Sequence, residues 1–572
     1  MASLTPGHGQ LPDHAGFTHR QILLVLCGLL MGVSLSALDQ TIVATSIRTI
    51  ADYFHNYSLL AWVTTAYLAT STIVTPLYGK LSDLYGRKPC YVVAISVFAL
   101  GSLGCTFASS LYELAVLRAV QGIGAGGLMS LAFTILGDIV APRQRARYQG
   151  YFLAVFTGAN LVGPLIGGVL ADTQSILGIA GWRWVFLLNV PLSLVTLAVV
   201  VRVLNFDPTQ RTGGRVDWLG GLLLTVGITP LLIVAELGRS WGWGSTRSLV
   251  CFAVFAASMS AYVWAEKLAG ERAFTPLRIF ANRSFAKGSV VSFVVGSVMV
   301  GVISIIPQYF QVSQGVDPMA AGFRLLPTML GAIVGTLCSG QLIARTGRYR
   351  AQAIAGGVLT VASLLGLYFL TDVSDFWLLM LLLLALGLGV GMFNQPLTLA
   401  MQNILPPADM GVSTAAVTFF RQLGGTIGLA FFLSLFFAYA PTAIAGEVKA
   451  AAGQPAFRAA VAQTIASASD PAARELATGL QANDTAVATS VVVHDSAVIQ
   501  SLPAVVARPF QLAFADSMGL VFVTASGVSL IGLLLLVSWP PVPLRDSAGA
   551  QGTAPRRPLG TGQSENSVSP HE

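Results

Sequence analysis

The sequence predicts an all-α integral membrane protein with fourteen transmembrane helices, built as two six-helix halves and a two-helix insert. First, 54% of its 572 residues are hydrophobic and only 10% are charged, whereas about 25% of residues are charged in soluble domains. Second, apolar stretches of about 20 residues, long enough to cross a bilayer as helices, recur along the chain. Third, motifs of the N-terminal half return in the C-terminal half. These observations exclude a soluble globular protein.

Fourteen apolar runs, separated by polar breaks, are the predicted membrane spans. The first run is too long for a signal peptide, lacks a small-residue cleavage site and precedes many further spans, so we expect it to be retained. The approximate bounds of the spans are 22–46, 59–79, 89–109, 112–138, 148–171, 183–203, 217–237, 246–266, 284–307, 320–343, 351–371, 375–398, 411–436 and 516–539.

The basic residues determine the expected orientation. Most of them lie in alternate loops, and the positive-inside rule makes these loops cytoplasmic, together with both termini. The formal net charge of +7 therefore reflects membrane topology, and no nucleic-acid partner is expected. Arg greatly outnumbers Lys, which is typical of GC-rich bacterial genomes, so the expected location is a bacterial inner (plasma) membrane.

Metal, disulfide and nucleotide chemistry have no support in the sequence. The five cysteines lie in apolar segments without metal-ligand spacing, so we expect neither a metal site nor a disulfide framework. The sequence contains no Gly-x-x-x-x-Gly-Lys loop, so we expect no cofactor and no ATP-driven step. A multi-span membrane enzyme would need an acidic cluster in an outer loop, and the first outer loop offers only Asp52.

The chain repeats itself. Residues 79–87, between spans two and three, resemble residues 340–348, between spans ten and eleven. Glycines repeat in the same way: Gly122, Gly124 and Gly126 correspond to Gly387, Gly389 and Gly391, and Gly150, Gly163 and Gly167 correspond to Gly411, Gly424 and Gly428. Two parallel six-span halves with a site between them are typical of transporters.

The repeat defines a domain organisation. We expect a cytoplasmic tail (1–20), an N-terminal bundle (21–205), an insert (206–270), a C-terminal bundle (271–540) and a disordered cytoplasmic tail (541–572). The C-terminal bundle includes a long outer loop, residues 437–515. Alanine-rich stretches at 456–465 and 472–480 predict amphipathic helices in this loop, which we consider a candidate docking element for a periplasmic or cell-wall partner.

Asp39 is the most informative single residue, because it lies inside the first span. A carboxylate at membrane depth costs roughly 3 kcal/mol or more and is rarely kept without a function. Arg118 of span four lies at a similar predicted depth and is its expected partner. The pair could bind and release a proton, since burial favours the protonated carboxyl. It could also be a purely structural ion pair between two helices.

Several motifs together give the chain a family resemblance. They are residues 38–43 in span one, residues 79–87 after span two, residues 118–125 in span four, residues 150–168 in span five and residues 182–191 before and within span six. With them the chain resembles the fourteen-span drug:proton antiporter branch of the major facilitator superfamily, whose members are multidrug efflux transporters. Three features depart from the pattern: Ala159 replaces a usual glycine, Ala344 stands where the first repeat has Asp83, and the loop 437–515 is unusually long.

The resemblance implies roles for these motifs in proton-coupled antiport. Asp39 and Arg118 would couple protons to transport. An inner gate would comprise Gly79, Asp83, Gly86, Arg87 and Lys88, although basic residues in this loop could also serve only as topological anchors. Span five would seal the pathway through Gly150, Gly163, Pro164, Gly167 and Gly168, although the same glycines could serve ordinary helix packing.

Candidate pocket residues are Gln121, Asn160, Asn394, Gln395 and Arg421. Because acids are scarce at depth, the expected substrates are monovalent, neutral or amphiphilic small molecules rather than multivalent cations. The leading interpretation is an exporter of small lipophilic compounds that is driven by protons and functions as a monomer in the lipid bilayer. Alternatives are an exporter of one native lipid or metabolite, a multi-span membrane enzyme, and a channel or receptor without coupled transport.

Overall fold

In the residues that the computed structural model describes, the regular structure is helical apart from one short hairpin. It describes residues 19–54, 60–140, 142–204, 217–269, 277–316, 318–369, 376–406, 409–468, 470–482, 484, 487, 491 and 498–539. The predicted tails, residues 1–20 and 541–572, therefore lie outside the described residues except for residues 19 and 20.

The helices of the first half and the insert follow the predicted spans closely. Span six is divided into two helices at Leu188, and a hairpin of strands β1 (Ser175–Ile176) and β2 (Ile179–Ala180) precedes it. The helices are α1 (His19–Phe54), α2 (Leu60–Tyr85), α3 (Arg87–Phe107), α4 (Leu111–Ile139), α5 (Pro142–Asp172), α6 (Gly181–Leu187), α7 (Asn189–Val203), α8 (Trp218–Trp241) and α9 (Thr246–Ala269).

The second half is less regular. Predicted span nine is interrupted by the π-helical segment Ser297–Val302, and a second π-helical segment, Tyr309–Ser313, follows it. The helices are α10 (Arg278–Ala281), α11 (Arg283–Gly296), α12 (Ile303–Gln308), α13 (Pro318–Arg324), α14 (Leu326–Thr346), α15 (Tyr349–Phe369), α16 (Phe376–Ile404), α17 (Met410–Ala452), α18 (Pro455–Ser467), α19 (Pro471–Gln481), α20 (Val498–Ser501) and α21 (Ala504–Val537).

Eleven helical segments in the described part of the chain are long and apolar enough to cross a membrane. Three further helices, α2, α5 and α8, occupy the positions of the other expected spans, and α8 contains a shorter apolar stretch, Leu219–Ala235. The all-helical membrane fold is confirmed. The count of fourteen crossings stays a prediction.

Glycines of α4 and α16 pack in the same way in the two halves. Gly122 and Gly126 of α4 face the backbone of α2, and Gly124 faces that of α3. In α16, Gly387 and Gly391 face α14, whereas a Cβ at Gly389 would lie 2.6 Å from Thr360 Oγ1 of α15. The alternation is equivalent, because every second glycine turns to the other neighbouring helix. The sequence repeat is therefore also a repeat of helix packing.

The turns after α2 and α14 each place a glycine at a positive φ. Gly86 has a φ of 98° and Gly347 a φ of 69°, values that residues with a Cβ rarely adopt. Both glycines occupy the same place in the repeated loop motif. Their backbone geometry explains why the motif keeps a glycine there in each copy.

The insert packs over one seam between the halves. Ile73 of α2, Leu224 and Ile228 of α8, and Phe419 and Leu423 of α17 share one buried apolar cluster. A second contact across the halves joins α5 to α14. The insert thus covers an interface that would otherwise leave apolar side chains of α2 and α17 against lipid.

The described part of the predicted outer loop is folded into helices. Because α17 extends to Ala452 and α21 begins at Ala504, the connection is residues 453–503 and is shorter than the expected 437–515. The two expected amphipathic helices are confirmed as α18 and α19. Phe457 and Leu476 are buried together with Val506 and Phe510 of α21. We call residues 453–503 the outer cap.

The outer cap should depend on its small apolar core. Leu476 is fully buried, so Leu476→Ala should destabilise the cap locally by about 2–5 kcal/mol. Amide hydrogen exchange of α18 and α19 should then accelerate, while exchange in the membrane helices stays unchanged. Gln481→Ala, at an exposed position of the same helix, is the matched control. Equal exchange in the two variants would contradict a cap held by this core.

Candidate functional site

Asp39 and Arg118 form a buried ion pair between α1 and α4. Arg118 Nη1 lies 2.5 Å from Asp39 Oδ2, and the two side chains are 1% and 0% exposed. The structure brings the predicted partners together. Because both charges are removed from water, each needs the other and further hydrogen bonds to remain ionised.

Three polar side chains complete the surroundings of Asp39. Gln121 Nε2 and Asn189 Nδ2 donate to its Oδ1 at 2.9 and 2.7 Å. Both amides also donate to Ser102 Oγ at 3.1 Å, and this hydroxyl donates to the backbone carbonyl of Phe186. Both oxygens of Asp39 are thus occupied. We call Asp39, Arg118, Gln121, Asn189 and Ser102 the Asp39 cluster.

Arg118 also stacks on an aromatic ring. Its guanidinium carbon lies 4.0 Å from the centroid of the Tyr67 ring, a cation–π geometry. The Tyr67 hydroxyl lies 3.1 Å from Ser36 Oγ, and Ser36 reaches the central cavity described below. Sequence reasoning missed Tyr67, Ser102 and Asn189 as site residues. Only Asn189 carried a signal, as an amide inside an apolar run.

The Asp39 cluster is held together by the balance of two charges. A proton on Asp39 would remove the counter-charge of Arg118, whose Nη1 also donates to Gln121 Oε1 at 2.7 Å. Breaking a buried ion pair from one side typically costs about 3–5 kcal/mol. Loss of either charge would therefore strongly disfavour this arrangement.

A cavity of about 280 Å³ lies between the two halves. Its walls combine apolar side chains such as Phe133 and Phe152 with amides and hydroxyls from both halves. A wider recess between α1 and α5, lined by Leu23, Cys27 and Met31, has an almost wholly apolar wall and lies outside this seam. The central cavity is therefore the better candidate for a selective binding site.

Three of the five predicted pocket residues line this cavity. They are Asn394, Gln395 and Arg421. Gln121 lies in the Asp39 cluster, and the side chain of Asn160 is outside the described residues. Sequence reasoning missed further polar lining residues, because isolated amides in apolar spans do not show which way they face. These are Gln40, Gln149 and Gln422.

The predicted inner-gate residues meet in a charged contact. Arg87 Nη1 lies 2.5 Å from Asp83 Oδ1, and its Nε lies 2.6 Å from Asp138 Oδ2 at the end of α4. Lys88 Nζ donates to the carbonyl of Val201 near the end of α7, where the helix dipole is negative. Asp138 was missed by sequence reasoning.

This contact reaches across to the C-terminal half. A Cβ at Gly79 would lie 2.5 Å from the Cβ of Ala415 and 2.8 Å from the carbonyl oxygen of Gly411. Asp83 accepts a hydrogen bond from the backbone N–H of Val412 in the first turn of α17. A carboxylate at this position complements the helix dipole. The loop motif thus holds the ends of α2 and α17 together.

Burial raises the pKa of Asp83 from 3.8 to about 6, even though Arg87 favours the ionised form and the Val412 hydrogen bond does too. Asp138 adds to the rise through charge repulsion. Desolvation is the largest effect. Asp83 is therefore ionised at neutral pH and takes up a proton in mildly acidic solution.

The span-five motif packs against α1 directly beyond Asp39. Gly163 and Gly167 face Thr41 and Thr45, and the backbone carbonyl of Gly167 accepts from Ser46 Oγ at 3.1 Å. These two glycines therefore permit a close crossing of α1 and α5.

The remaining described positions of the span-five motif do not face α1. Gly150 faces Leu337 of α14, so it serves the contact between the halves. A Cβ at Gly168 would meet nothing within 4 Å. The side chain of Pro164 lies outside the described residues.

A buried ion pair, a cavity between two repeated bundles and a charged contact between their ends define a membrane transport protein. The chain belongs to the major facilitator superfamily, whose family model matches residues 29–429. The resemblance drawn from the motifs is confirmed at this level.

Known relatives and structures agree with this assignment. The chain is 32% identical over 527 residues to an uncharacterized MFS-type transporter of Mycobacterium tuberculosis, covering 91% of this chain and 70% of that protein. It is 32% identical to Multidrug resistance protein 3 of Bacillus subtilis, over 71% of this chain and 78% of that protein. The crystallised proton:xylose symporter XylE shares the fold, with a TM-score of 0.57 and 13% identity over 92% of this chain and 97% of that chain.

The adjacent glycines Gly167 and Gly168 should respond oppositely to the same substitution. In Gly167→Ala the new methyl group would lie 2.7 Å from the carbonyl oxygen of Ile42, so we expect a loss of about 1–3 kcal/mol of stability. Gly168→Ala, with open space around it, should be neutral or gain up to roughly 1 kcal/mol from helix propensity. Thermal unfolding of the purified variants measures both. Equal midpoints would contradict the close crossing of α1 and α5.

The contact at Asp83 should become tighter in mild acid. In any state that exposes Asp83 to water its pKa would return toward 3.8, whereas burial in this contact holds it at about 6. The closed contact therefore gains stability as the pH falls from 6 to 4 and loses this gain as the pH rises above 6. At pH 5 the gain is about tenfold in the closing equilibrium.

Spin labels at exposed Tyr85 of α2 and Leu342 of α14 would report this closing as a distance distribution. The short-distance population should grow from pH 7.5 to pH 5. The variant Asp83→Asn, which cannot titrate, should remove the pH dependence. Growth of the long-distance population on acidification would contradict the assignment to Asp83.

Proposed function

We propose that this protein is a proton-coupled antiporter that exports small lipophilic or amphiphilic compounds by alternating access. The observation that carries the proposal is the fully buried Asp39–Arg118 pair in a half that also forms one wall of the central cavity. The distribution of basic residues supports a bacterial inner membrane with both termini cytoplasmic. Family membership favours transport over the alternative of a membrane enzyme.

The proton would act through the charge balance of the Asp39 cluster. With Asp39 ionised, five side chains hold α1, α3, α4 and α7 in the arrangement seen here. A proton arriving from the outside would neutralise Asp39, leave Arg118 uncompensated and favour rearrangement of these helices. Release of the proton on the inside would restore the pair. The cycle requires no second carboxylate at membrane depth.

The two ends of the pathway would open in turn. The contact of Asp83 and Arg87 with the start of α17 holds the halves together at one end, which the loop charges place on the cytoplasmic side. Loading of substrate from the cytoplasm would require this contact to open. The close crossing of α5 on α1 supports joint movement of the proposed sealing motif and the proposed proton-binding turn.

The cavity suits compounds with both apolar and polar parts. Phe133, Phe152 and Phe156 provide apolar surface, and amides from both halves provide donors and acceptors. Few fixed contacts and adaptable Met side chains, Met129 and Met299, are compatible with several substrates. Similarity to Multidrug resistance protein 3 of Bacillus subtilis supports multidrug efflux and a role in antibiotic resistance.

The outer cap favours a second candidate function, export of one native lipid or metabolite. It is a folded element on the outer end of the C-terminal half, where a periplasmic or cell-wall acceptor could dock. Deletion of residues 455–501 should leave drug export by a monomer intact if multidrug efflux is the main function. If the deletion variant instead failed to deliver one native lipid or metabolite to the outside, the specific exporter would be supported.

Asp39→Asn should abolish coupling to the pH gradient. Export of a fluorescent lipophilic dye from proteoliposomes should fall to the rate measured without a gradient, because the proton-binding group is gone. Glu475→Gln, which removes an exposed carboxylate from the outer cap, is the matched control and should export normally.

The double variant Asp39→Asn with Arg118→Gln separates coupling from structure. If the pair were only a structural tie, removing both charges would preserve export driven by the pH gradient, since no uncompensated charge remains. We expect this variant to fold and to bind dye but not to respond to the gradient. Full proton-coupled export by Asp39→Asn or by the double variant would contradict the proposal.

A further inference from the structure

The central cavity has an unusual charge balance. Among the described residues that line it, Arg421 is the sole side chain with a formal charge; the other polar lining groups are amides and hydroxyls. No described carboxylate forms an ion pair with Arg421. The cavity therefore carries one net positive charge in this structure.

Arg421 is held but not neutralised. Its Nη1 donates to Asn394 Oδ1 at 3.1 Å, and its guanidinium carbon lies 5.9 Å from the centroid of the Phe133 ring across the cavity. A guanidinium has five N–H donors, and this is its single described hydrogen bond. The remaining donors are available to a molecule in the cavity.

Asp39 cannot supply the missing negative charge. It is 0% exposed, and its two oxygens are taken by Arg118, Gln121 and Asn189. The charges of Asp39 and Arg118 cancel within the Asp39 cluster, and those of Asp83, Arg87 and Asp138 lie in the contact at the end of the pathway. The positive charge of Arg421 is thus left for a ligand to balance.

We propose that the cavity binds amphipathic organic anions, with a carboxylate, phosphate or sulfonate head group on Arg421 and an apolar body against Phe133, Phe152 and Phe156. Planar oxyanions match the fork of a guanidinium in a bidentate geometry. A cation at the same place would meet an uncompensated positive charge in a poorly screened site. This inference rests on the proposed exporter function and specifies its substrate class.

The volume of the cavity favours a compact body. The space of about 280 Å³ corresponds to on the order of nine water molecules. A fused aromatic acid fits this space, whereas a whole diacyl lipid does not. The source of the oxyanion is therefore a small organic acid, and an anionic lipid is the alternative that the experiment must separate.

The charge of the ligand has a consequence for the driving force. Inward movement of one proton and outward movement of one monovalent anion both move positive charge inward, so one exchange transfers two charges. Exchange of a proton for a neutral compound transfers one charge, and exchange for a monovalent cation transfers none. Export of an anion should therefore respond most strongly to a membrane potential that is negative inside.

Binding to the purified protein in neutral-lipid nanodiscs tests the site without transport. The probes are 9-anthracenecarboxylate, its carboxamide and (9-anthracenylmethyl)trimethylammonium, which share one ring system. We expect the carboxylate to bind at least about tenfold tighter than the carboxamide and tighter still than the ammonium. Dioleoyl phosphatidate, added to the nanodiscs, should compete poorly; strong competition would assign the site to a lipid and overturn the small-acid proposal.

Variants assign the preference to Arg421. Arg421→Gln should remove the tenfold preference for the carboxylate, and Arg421→Lys should retain part of it, since the charge remains without the fork. Arg247→Gln, at an exposed position at the start of α9, is the matched control. Asn394→Ala removes the described hydrogen-bond partner of Arg421 but keeps the charge of Arg421. This variant tests the site independently if Arg421→Gln unfolds. A preference unchanged in Arg421→Gln, tighter binding of the ammonium, or no binding of any probe would overturn the proposal.

Flux in proteoliposomes keeps the two proposals distinguishable. A potassium diffusion potential, negative inside, should accelerate carboxylate export more than carboxamide export and should leave ammonium export unchanged. Selective carboxylate binding without any response to a pH gradient would contradict proton coupling while the anion site stands. Export of the ammonium alone, driven by the pH gradient, would leave the antiporter standing and overturn the anion site.

Discussion

A carboxylate in a dry helix bundle must be neutralised, and the N-terminal half is arranged around this constraint. Asp39 has no access to water, so a guanidinium and two amides replace its hydration. The partners come from α4 and α7, and Ser102 of α3 orients both amides. Satisfying one charge therefore fixes the relative positions of four helices. On the proposed mechanism the same dependence would make the bundle sensitive to a proton, because Asp39 is the acceptor that Arg118, Gln121 and Asn189 share.

Close helix crossings are the second requirement. Gly163 and Gly167 allow α5 to approach α1, and Gly424 and Gly428 allow α17 to approach α11 and the following π-helical segment. Without a large apolar driving force between helices in lipid, such packing supplies much of the association. These crossings lie next to Asp39 in one half and next to Arg421 in the other. The helices that carry the two charged groups therefore cannot move apart or together without loss of close packing.

Much of the fold and part of the site could be predicted from the sequence. Hydropathy predicts the helices, and motif recurrence predicts the two repeated halves. Gly86 and Gly347, at matching places in the repeat, both adopt a positive φ. The Asp39–Arg118 pair follows from depth alone. The depth of a residue in the membrane does not say which way its side chain points around the helix axis. Gln121 was therefore predicted to line the pocket, whereas it lies beside Asp39. The lining residues Gln40 and Gln149 were not predicted.

Contacts between distant segments also escape sequence reasoning. Asp138 joins Arg87 only because α4 ends beside α3, and Asn189 reaches Asp39 only because α7 begins at its depth. The helices α17 and α21 extend beyond the predicted spans 411–436 and 516–539. Hydropathy falls in these extensions, but the helical hydrogen bonding continues. Local sequence patterns show which residues are apolar. Which polar side chains come into contact depends on tertiary packing.

On the proposed mechanism, α4 connects the proton to both the substrate and the gate. It carries Arg118 in the Asp39 cluster, Phe133 against Arg421 in the cavity, and Asp138 in the contact with Arg87. At 1.5 Å per residue, Arg118 and Asp138 are roughly 30 Å apart along the axis, too far for direct electrostatic influence through side chains. A single rigid helix bridges that distance. A tilt or shift of α4, caused by loss of the Asp39 charge, would alter the wall of the cavity and the contact at its end in one movement. The N-terminal half would then bind the proton and the C-terminal half the anion, with the coupling carried by the helix between them.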